Sequence, residues 1–414
     1  MDTSLATTPV AEAFLAPALR LVRDYCRSRR DTPALGDEPF VAAGLHRVLG
    51  QFDSGRDFLQ ATQERGTDLA RATWFDALHS VRRGGLLGEL AHRSYAVWGA
   101  ALRGRDWLGA YPELRGRTVW AVDGHQLAHA CHAARDAKGA HVPVGLLFGL
   151  CLHSGLLRPL APFQGDGVHR HEFPVFCAHW PRWLAQDRGT LMPLAVVDPA
   201  YVDVLYWSEQ HRLGHSAMIT REKENMKPRI VGPHPFDRAD PVNRGVEADE
   251  FAGYTHAHLR RIVYRDPASG ARFVFLTTER SLRPGVIALL YLLRWKIEKA
   301  YDVTKNKLHQ QKAWANGPAA AAAQAHFVAL AHNLLVLQLA ELAAAGVTEE
   351  KTAQRQAAGR AATPPDRRVP AQERVRHARQ LTCQFIRLVR HCLRYPIPWR
   401  EAFPAFQRRL QFYL

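Results

Sequence analysis

Cysteine is scarce and scattered. The six in 414 residues (Cys26, Cys131, Cys151, Cys177, Cys383 and Cys392) include no Cys-x-x-Cys pair, which argues against a structural zinc site and a disulfide framework and fits a reducing cytoplasm. The first residues lack the basic, apolar, small-residue order of a secretory signal, so none is expected. Long clean apolar runs are missing too. The longest, residues 319–347, is broken by Gln324, His326, His332, Asn333 and Glu341, too polar for lipid and suited to a buried helix. No internal repeat is visible. Acidic residues fall short of basic ones, 39 against 55, giving a charge of +16 and a pI near 9.9. That excess favours a polyanionic partner, nucleic acid ahead of a membrane. Lysine is absent from the first 110 residues, where 14 Arg face 13 acids, whereas residues 351–414 hold 14 basic and 3 acidic side chains. The C-terminal end is the basic end.

The chain is long enough for two to four structural units. Periodicity and Gly/Pro punctuation predict helices over 10–29, 42–52, 74–90 and 94–102. From Thr118 the pattern becomes strand-like. TVWAVDG ends in Asp123-Gly124, and GLLFGLCLHSGLLRPLAPF reads as a hairpin turning at Ser154-Gly155. A helix follows over 170–186, then the apolar run LMPLAVVDPAY with Asp198 at its end, a helix over 204–211 and the strand HSAMITRE. Residues 223–282 are polar and loop-rich, with two clear strands in HLRRIVYRD and ARFVFLTTE. The order is that of an α/β fold with acids at strand ends. Beyond Lys312 the chain is helical to about 345, then a link rich in Ala, Arg, Thr and Pro, then a basic helix over 372–395 with Leu381, Phe385, Leu388 and Cys392 on one side.

Residues 289–308, LLYLLRWKIEKAYDVTKNKL, carry the densest chemistry. At about 100° per residue, Tyr291, Arg294, Glu298 and Lys305 project at roughly 0°, 300°, 340° and 320° on an α-helix. They share one narrow stripe, opposite the apolar Leu289, Leu293, Ile297 and Ala300. A carboxylate among a phenol, a guanidinium and an ammonium suits a divalent cation beside a phosphodiester. An ordinary solvated helix face with i,i+4 charges would look the same, so the helix needs partners elsewhere.

Asp123 and Asp198 are those partners. Two aspartates ending neighbouring strands and a glutamate on a helix across the sheet can converge. Three such carboxylates repel one another unless hard cations neutralise them, and oxygen donors favour Mg²⁺ or Mn²⁺. Two ions together clamp the attacking and leaving oxygens of a phosphoryl displacement. Alone, either aspartate reads as a turn or cap residue. His125, His129 and His132 lack cysteine partners for zinc and read as exposed or packing residues. Asp203 and Glu172 are alternative acids, best placed in supporting roles.

The spacing Tyr291-x2-Arg294-x3-Glu298-x6-Lys305 resembles the Y-R-E-K signature of hairpin-forming DDE transposases of bacterial insertion sequences, the insertion-sequence-four group and its Tn-five relatives. The resemblance spans roughly residues 119–314. Asp123 in VDG and Asp198 in VVDPAY match the family's first and second metal-binding aspartates, Glu298 its third acid, and AMITREKEN a segment after the fifth core strand. It implies an α/β, RNase H-like (retroviral-integrase-like) catalytic core with a β-rich insertion, flanked by N-terminal and C-terminal helical regions. It further implies Mg²⁺ or Mn²⁺, two ions, at Asp123, Asp198 and Glu298. Tyr291, Arg294 and Lys305 would hold DNA, with Trp295 following the arginine as in the family. Phe273 stands where the Tn-five relatives place a base-stacking tryptophan, and Phe offers less stacking area. Arg221 and Lys223 are further candidates for strand contact.

The expected layout is an N-terminal helical domain over 1–115 that could bind DNA ends and a first core part over 116–222. A β-rich insertion over 223–283 follows, then the last core helix over 284–318, helices over 319–350 and a basic helical region over 351–414. The expected activity is metal-dependent cleavage at transposon ends and strand transfer into target DNA. Its partners would be double-stranded DNA, both terminal inverted repeats and target, and a second copy in a homodimer, in the bacterial cytoplasm at the nucleoid and away from membranes. A nuclease of the same fold that cuts without joining, and a domesticated DNA-binding protein whose acids have become structural, are the alternatives.

Overall fold

A computed structural model of the chain describes residues 9–26, 35–52, 54–64, 69–102, 107–127, 135, 139, 144–164, 172–186, 191–254, 257–344 and 380–394. Its described residues fall into two units: those of Met1–Leu102 and Asp302–Leu414 in one, and those of Arg103–His129 and Ala134–Tyr301 in the other.

The first unit is helical. Helices α1 (Pro9–Cys26), α2 (Asp37–Leu49), α3 (Gly55–Glu64), α4 (Arg71–His79) and α5 (Val81–Ala101) come from the N-terminal part. The helix expected to run from 74 to 90 instead breaks at Ser80, where the side-chain oxygen accepts from the Arg83 amide and caps α5. The α3 helix went unforeseen because its inward face is only Phe58 and Thr62, too thin a stripe to register as a period. An aromatic cluster of Phe40, Phe58, Trp74, Trp314 and Phe327 fills this unit. Arg47 lies within it, 4.4 Å from the Trp314 ring, and burial lowers its pKa to about 9.

The second unit is a mixed α/β structure built on one nine-stranded sheet. In chain order the strands are β1 (Val119–Leu127), β2 (Val144–Cys151), β3 (Leu157–Gln164), β4 (Leu194–Val197), β5 (Ala217–Arg221), β6 (Arg229–Pro233), β7 (Val246–Tyr254), β8 (Ala257–Arg265) and β9 (Arg272–Thr277). Across the sheet the order is β3-β2-β1-β4-β5-β9-β8-β7-β6. Continuous apolar runs make β4 buried throughout and bury β1 and β5 over their first four residues, as expected for central strands covered on both faces. The β1-β4 and β4-β5 pairs are parallel, and β1-β2 and β2-β3 are antiparallel. The β2-β3 hairpin turns where expected, with Gly155 at φ 75°, a conformation glycine adopts without steric cost. The crossover from β3 to β4 is α6 (Glu172–Leu184), and α7 (Val204–Arg212) links β4 to β5.

The stretch over 223–282 is less loop-rich than its composition suggests. It holds four strands rather than two, and β9 pairs antiparallel with β5, so the insertion extends the same sheet. Its period is masked because β7 turns Asp249 inward, where Arg260 of β8 holds it with two hydrogen bonds of 2.6 and 2.9 Å.

After β9 the chain enters α8 (Pro284–Leu293) and α9 (Trp295–Tyr301), then a π-helical turn over Asp302–Lys307 that belongs to the helical unit. The helical unit ends with α10 (Pro318–Ala344) and α11 (Gln380–Arg394). Among the described residues, α10 is the one helix long and apolar enough to cross a membrane, and most of that stretch is buried inside its unit. The expected link over 351–370 lies outside the described residues.

Candidate active site

The parallel register of β1 with β4 ends at Val122 opposite Val197. Asp123 and Asp198 are the next residue on each strand, and neighbouring strands lie about 5 Å apart. Asp123 does not end its strand as expected. β1 runs on to Leu127 because β2 keeps pairing with it to that point, and only β4 stops. Asp123 therefore stands where the parallel half of the sheet gives out, the place where α/β sheets open a crevice. Asp198 caps a short turn, its Oδ1 accepting from the Ala200 amide at 2.9 Å, and leaves Oδ2 free of that bond. The bland cap reading and the site reading thus both describe it, one oxygen each.

The helix carrying Glu298 is not one straight α-helix. It hitches at Arg294, whose amide donates to Tyr291 O and whose carbonyl accepts from the Ile297 amide, both i to i+3 contacts of 3.0 Å. This tighter turn separates α8 from α9 and delivers the Arg294 side chain to the sheet. Its guanidinium reaches all three acids: Glu298 Oε1 at 3.0 Å, Asp123 Oδ2 at 3.7 Å and Asp198 Oδ2 at 3.8 Å. The Arg294 side chain is 7% exposed, whereas those of Asp198 and Glu298 are 42% and 39% exposed. The cation is the buried member, and Asp198 and Glu298 form its open rim.

Two further residues complete the arrangement. Tyr301, at the end of α9, donates its hydroxyl to the main-chain oxygen of Asp123 at 2.5 Å and rests its ring on His125. Of the two expectations for His125, exposed or packing, the buried contact with Tyr301 is the packing one, while His129 and His132 lie outside the described residues. Glu172 opens α6 and accepts from the Tyr201 hydroxyl at 2.8 Å. A Cβ at Gly124 would collide with the Glu172 carboxyl, so this acid rests on the β1 backbone beside Asp123. Tyr301 was not singled out from sequence, although at i+3 from Glu298 it falls on the same helical stripe. Asp203 caps α7 through the Tyr206 amide.

Burial and the Glu172 charge raise the Asp123 pKa to about 7, against the pull of the Gly124 amide and Arg294. Three carboxyl groups thus gather about one guanidinium, with the Glu172 carboxyl beside the Asp123 strand. Among the described residues no three His, Cys, Asp or Glu side chains stand close enough to hold a metal ion as they are, because the acids face Arg294 rather than a common point. The donor set nevertheless fits a hard divalent cation: it is all oxygen, it carries surplus negative charge, and a positive group already stands among three of its members.

The remaining candidates are placed as follows. Tyr291 is buried, its ring 5.1 Å from Phe275 and 5.7 Å from the Arg294 guanidinium, so it braces Arg294 rather than presenting its phenol to solvent. Phe273 stacks nearly parallel on Phe275 at 6.0 Å, at the half-buried end of that aromatic row. Trp295 is 60% exposed beside the site. Arg221 is exposed and Lys223 half-buried at the end of β5. Lys305 is exposed in the π-helical turn; past Tyr301 the winding is no longer α-helical, so its projection onto the Glu298 stripe does not hold.

Residues 166–334 match the family model of the transposase DDE domain. The match supports a DDE transposase, an enzyme of the transposase or endonuclease type acting on DNA, and such domains depend in general on divalent metal. It takes in Asp198, Arg294 and Glu298 and begins after Asp123. No curated protein matches the chain.

Proposed function

We propose that this chain is a cut-and-paste DNA transposase of the insertion-sequence-four type, with an RNase H-like core that cleaves transposon ends and joins them to target DNA. The observation that carries the reading is the grip of Asp123, Asp198 and Glu298 on the single guanidinium of Arg294, within a chain that matches the transposase DDE domain. Strand order supports the core assignment: three antiparallel strands, then two parallel to the first.

Asp123, Asp198 and Glu298 would hold Mg²⁺ or Mn²⁺. Bound there, such ions would supply Lewis-acid polarisation of the scissile phosphate and activation of a water or DNA 3′-hydroxyl. The chain's own groups do the rest. Arg294 neutralises the acids in the resting site and turns to a phosphate oxygen when DNA arrives, its planar fork matching that geometry. Tyr291 holds the guanidinium in reach through its ring. Trp295 and Phe273 offer planes for an unstacked base, and Arg221, Lys223 and Lys305 contact the backbone. Two copies of the chain bridge the two ends in the working complex.

The test is cleavage and joining with DNA carrying the inverted repeats that flank the gene. Mn²⁺-dependent nicking at the repeat end, abolished in Glu298→Gln with end binding retained, is expected. Joining of a pre-cut 3′-hydroxyl end to plasmid separates a transposase from a nuclease. Cleavage persisting in Glu298→Gln would remove Glu298 from the site.

A further inference from the structure

Arg47, on α2, is 6% exposed in the interior of the helical unit. Its guanidinium lies 4.4, 5.5 and 5.9 Å from the ring centroids of Trp314, Phe58 and Trp74. Aromatic faces attract a cation, but they leave its N–H donors without oxygen acceptors. Among the described residues no carboxylate offsets the charge: Nη1 is enclosed with no hydrogen-bond partner, and burial alone acts on the ionisation of the group. A buried charge without a counter-charge works against folding. Such a group fits a site that gains its partner on binding, when the ligand recovers the loss.

The guanidinium lies against a helix N-terminus. Nη2 is 3.5 Å from where a Cβ on Gly55 would sit, and Gly55 begins the ten-residue helix α3. In that first turn the Ser54 hydroxyl accepts from the Asp57 amide at 3.1 Å and the Ser54 carbonyl from the Phe58 amide. The amides of Gly55 and Arg56 remain, as the first amides of a helix do. Ser54 and Arg56 are exposed and Gly55 is half-buried, so the turn faces water. Phe75 comes within 3.6 Å of the same Gly55 position and carries the exposed Arg71 5.7 Å from its ring. The acid of the turn, Asp57, is exposed, where water and salt screen it. Two amides at the positive end of a helix, beside a buried guanidinium, suit a ligand with several acceptor oxygens.

We propose that Arg47 and the first amides of α3 form a phosphate-binding site, and that its ligand is a phosphodiester of the DNA backbone. The choice of DNA over free phosphate rests on the reading of the chain as a transposase. A contact of this kind positions the duplex and reads no base.

Two arms test it on the full chain. In the first, the protein is melted without DNA in inorganic phosphate and in chloride of equal ionic strength. Wild type should melt higher in phosphate. Arg47→Met should lose that shift, yet melt in chloride at or above the wild-type temperature. In the second, affinity for a duplex carrying the inverted repeat and for an unrelated duplex is followed against salt by fluorescence anisotropy. Arg47→Met should lower the slope of log affinity against log salt by about one, and weaken binding about fivefold near physiological salt, equally for both duplexes. Gly55→Ala keeps the charge; its methyl points back toward the helix start, in ordinary contact with Nη2 and Phe75, and should also lose the phosphate shift while melting normally in chloride. An undiminished phosphate shift in Arg47→Met, or in Gly55→Ala should the first variant not fold, overturns the site. A phosphate shift lost with the salt slope unchanged overturns DNA as the ligand. Cleavage persisting in Glu298→Gln overturns the transposase reading instead, and leaves the phosphate arm to judge Arg47 by itself.

Discussion

The hydroxyl of Tyr301 donates to the main-chain oxygen of Asp123 across 2.5 Å, tying the helix that bears Glu298 to the strand that bears the first aspartate. Asp123 and Glu298 lie far apart in the chain, and this bond fixes their separation from the backbone, independent of what either carboxylate binds. Burial of the Tyr301 phenol there, with the Asp123 charge beside it, holds its pKa well above the usual range, so it remains a donor at every working pH.

Tyr301→Phe should therefore cost about 1 kcal/mol of stability, the usual net worth of one such bond. End cleavage should fall by roughly tenfold, as misplacement of reacting groups costs rate, while end binding by gel shift stays unchanged. Equal losses in binding and cleavage would assign Tyr301 to DNA contact instead.

The raised pKa of Asp123, about 7, makes the metal-free protein sensitive to pH in a definite direction. Below the unfolded carboxyl's pKa, both states are protonated and the group contributes nothing. Between there and pH 7 the unfolded chain releases the proton while the folded chain keeps it, so stability falls as pH rises, and above pH 7 the loss is complete. Asp123→Asn removes this loss. In chelator the variant should be more stable than wild type at pH 8, by about 1–3 kcal/mol after allowing for partial exposure, and nearly equal to it at pH 4. A melting-temperature gap independent of pH would exclude the buried proton.

Arg294 stands in for cation charge in the resting site, so its removal should expose the need for metal. Arg294→Ala leaves Asp123, Asp198 and Glu298 without their shared partner; because two of these acids are about 40% exposed, the loss in chelator should be modest, about 1–2 kcal/mol. Mn²⁺ should then stabilise the variant by a larger increment than it stabilises wild type, read as the thermal shift with and without the ion. End cleavage should drop far more than nonspecific DNA binding. A smaller Mn²⁺ shift in the variant than in wild type would mean that Arg294 helps the ion bind rather than occupying its place.

The site was legible in sequence where its signal is local. Asp198 follows a fully apolar strand, and Arg294 and Glu298 fall on one helical stripe, so period and spacing mark them as candidates; Tyr301, on the same stripe, was not singled out. What was not legible depends on partners distant in the chain. In sequence Asp123 reads as a strand end because Gly124 follows it, but β2 carries the strand onward. The hitch at Arg294 and the π-helical turn after Tyr301 leave no mark in hydrophobic period, and they invalidate the projection of Lys305. The insertion hid two of its strands because an inward aspartate needs its arginine on another strand before the pattern makes sense.

That buried pair gives the insertion a role in holding the site. Arg260 is 1% exposed and Asp249 is fully buried; beyond its two bonds to Asp249, Arg260 donates to the Leu282 carbonyl at 2.6 Å, two residues before α8 begins. The insertion thereby fixes the start of the helix that ends at Arg294. Asp249→Asn leaves a buried guanidinium without its counter-charge and should cost about 3–5 kcal/mol, seen as a fall in denaturation midpoint. Replacing both residues, Arg260→Met with Asp249→Leu, removes the unpaired charge and should recover more than half of that loss. The Leu282 carbonyl would still lack its donor, so end cleavage should remain depressed even where stability returns. Full recovery of cleavage in the double variant would show that α8 is held by packing alone and that the buried arginine contributes nothing to the position of Arg294.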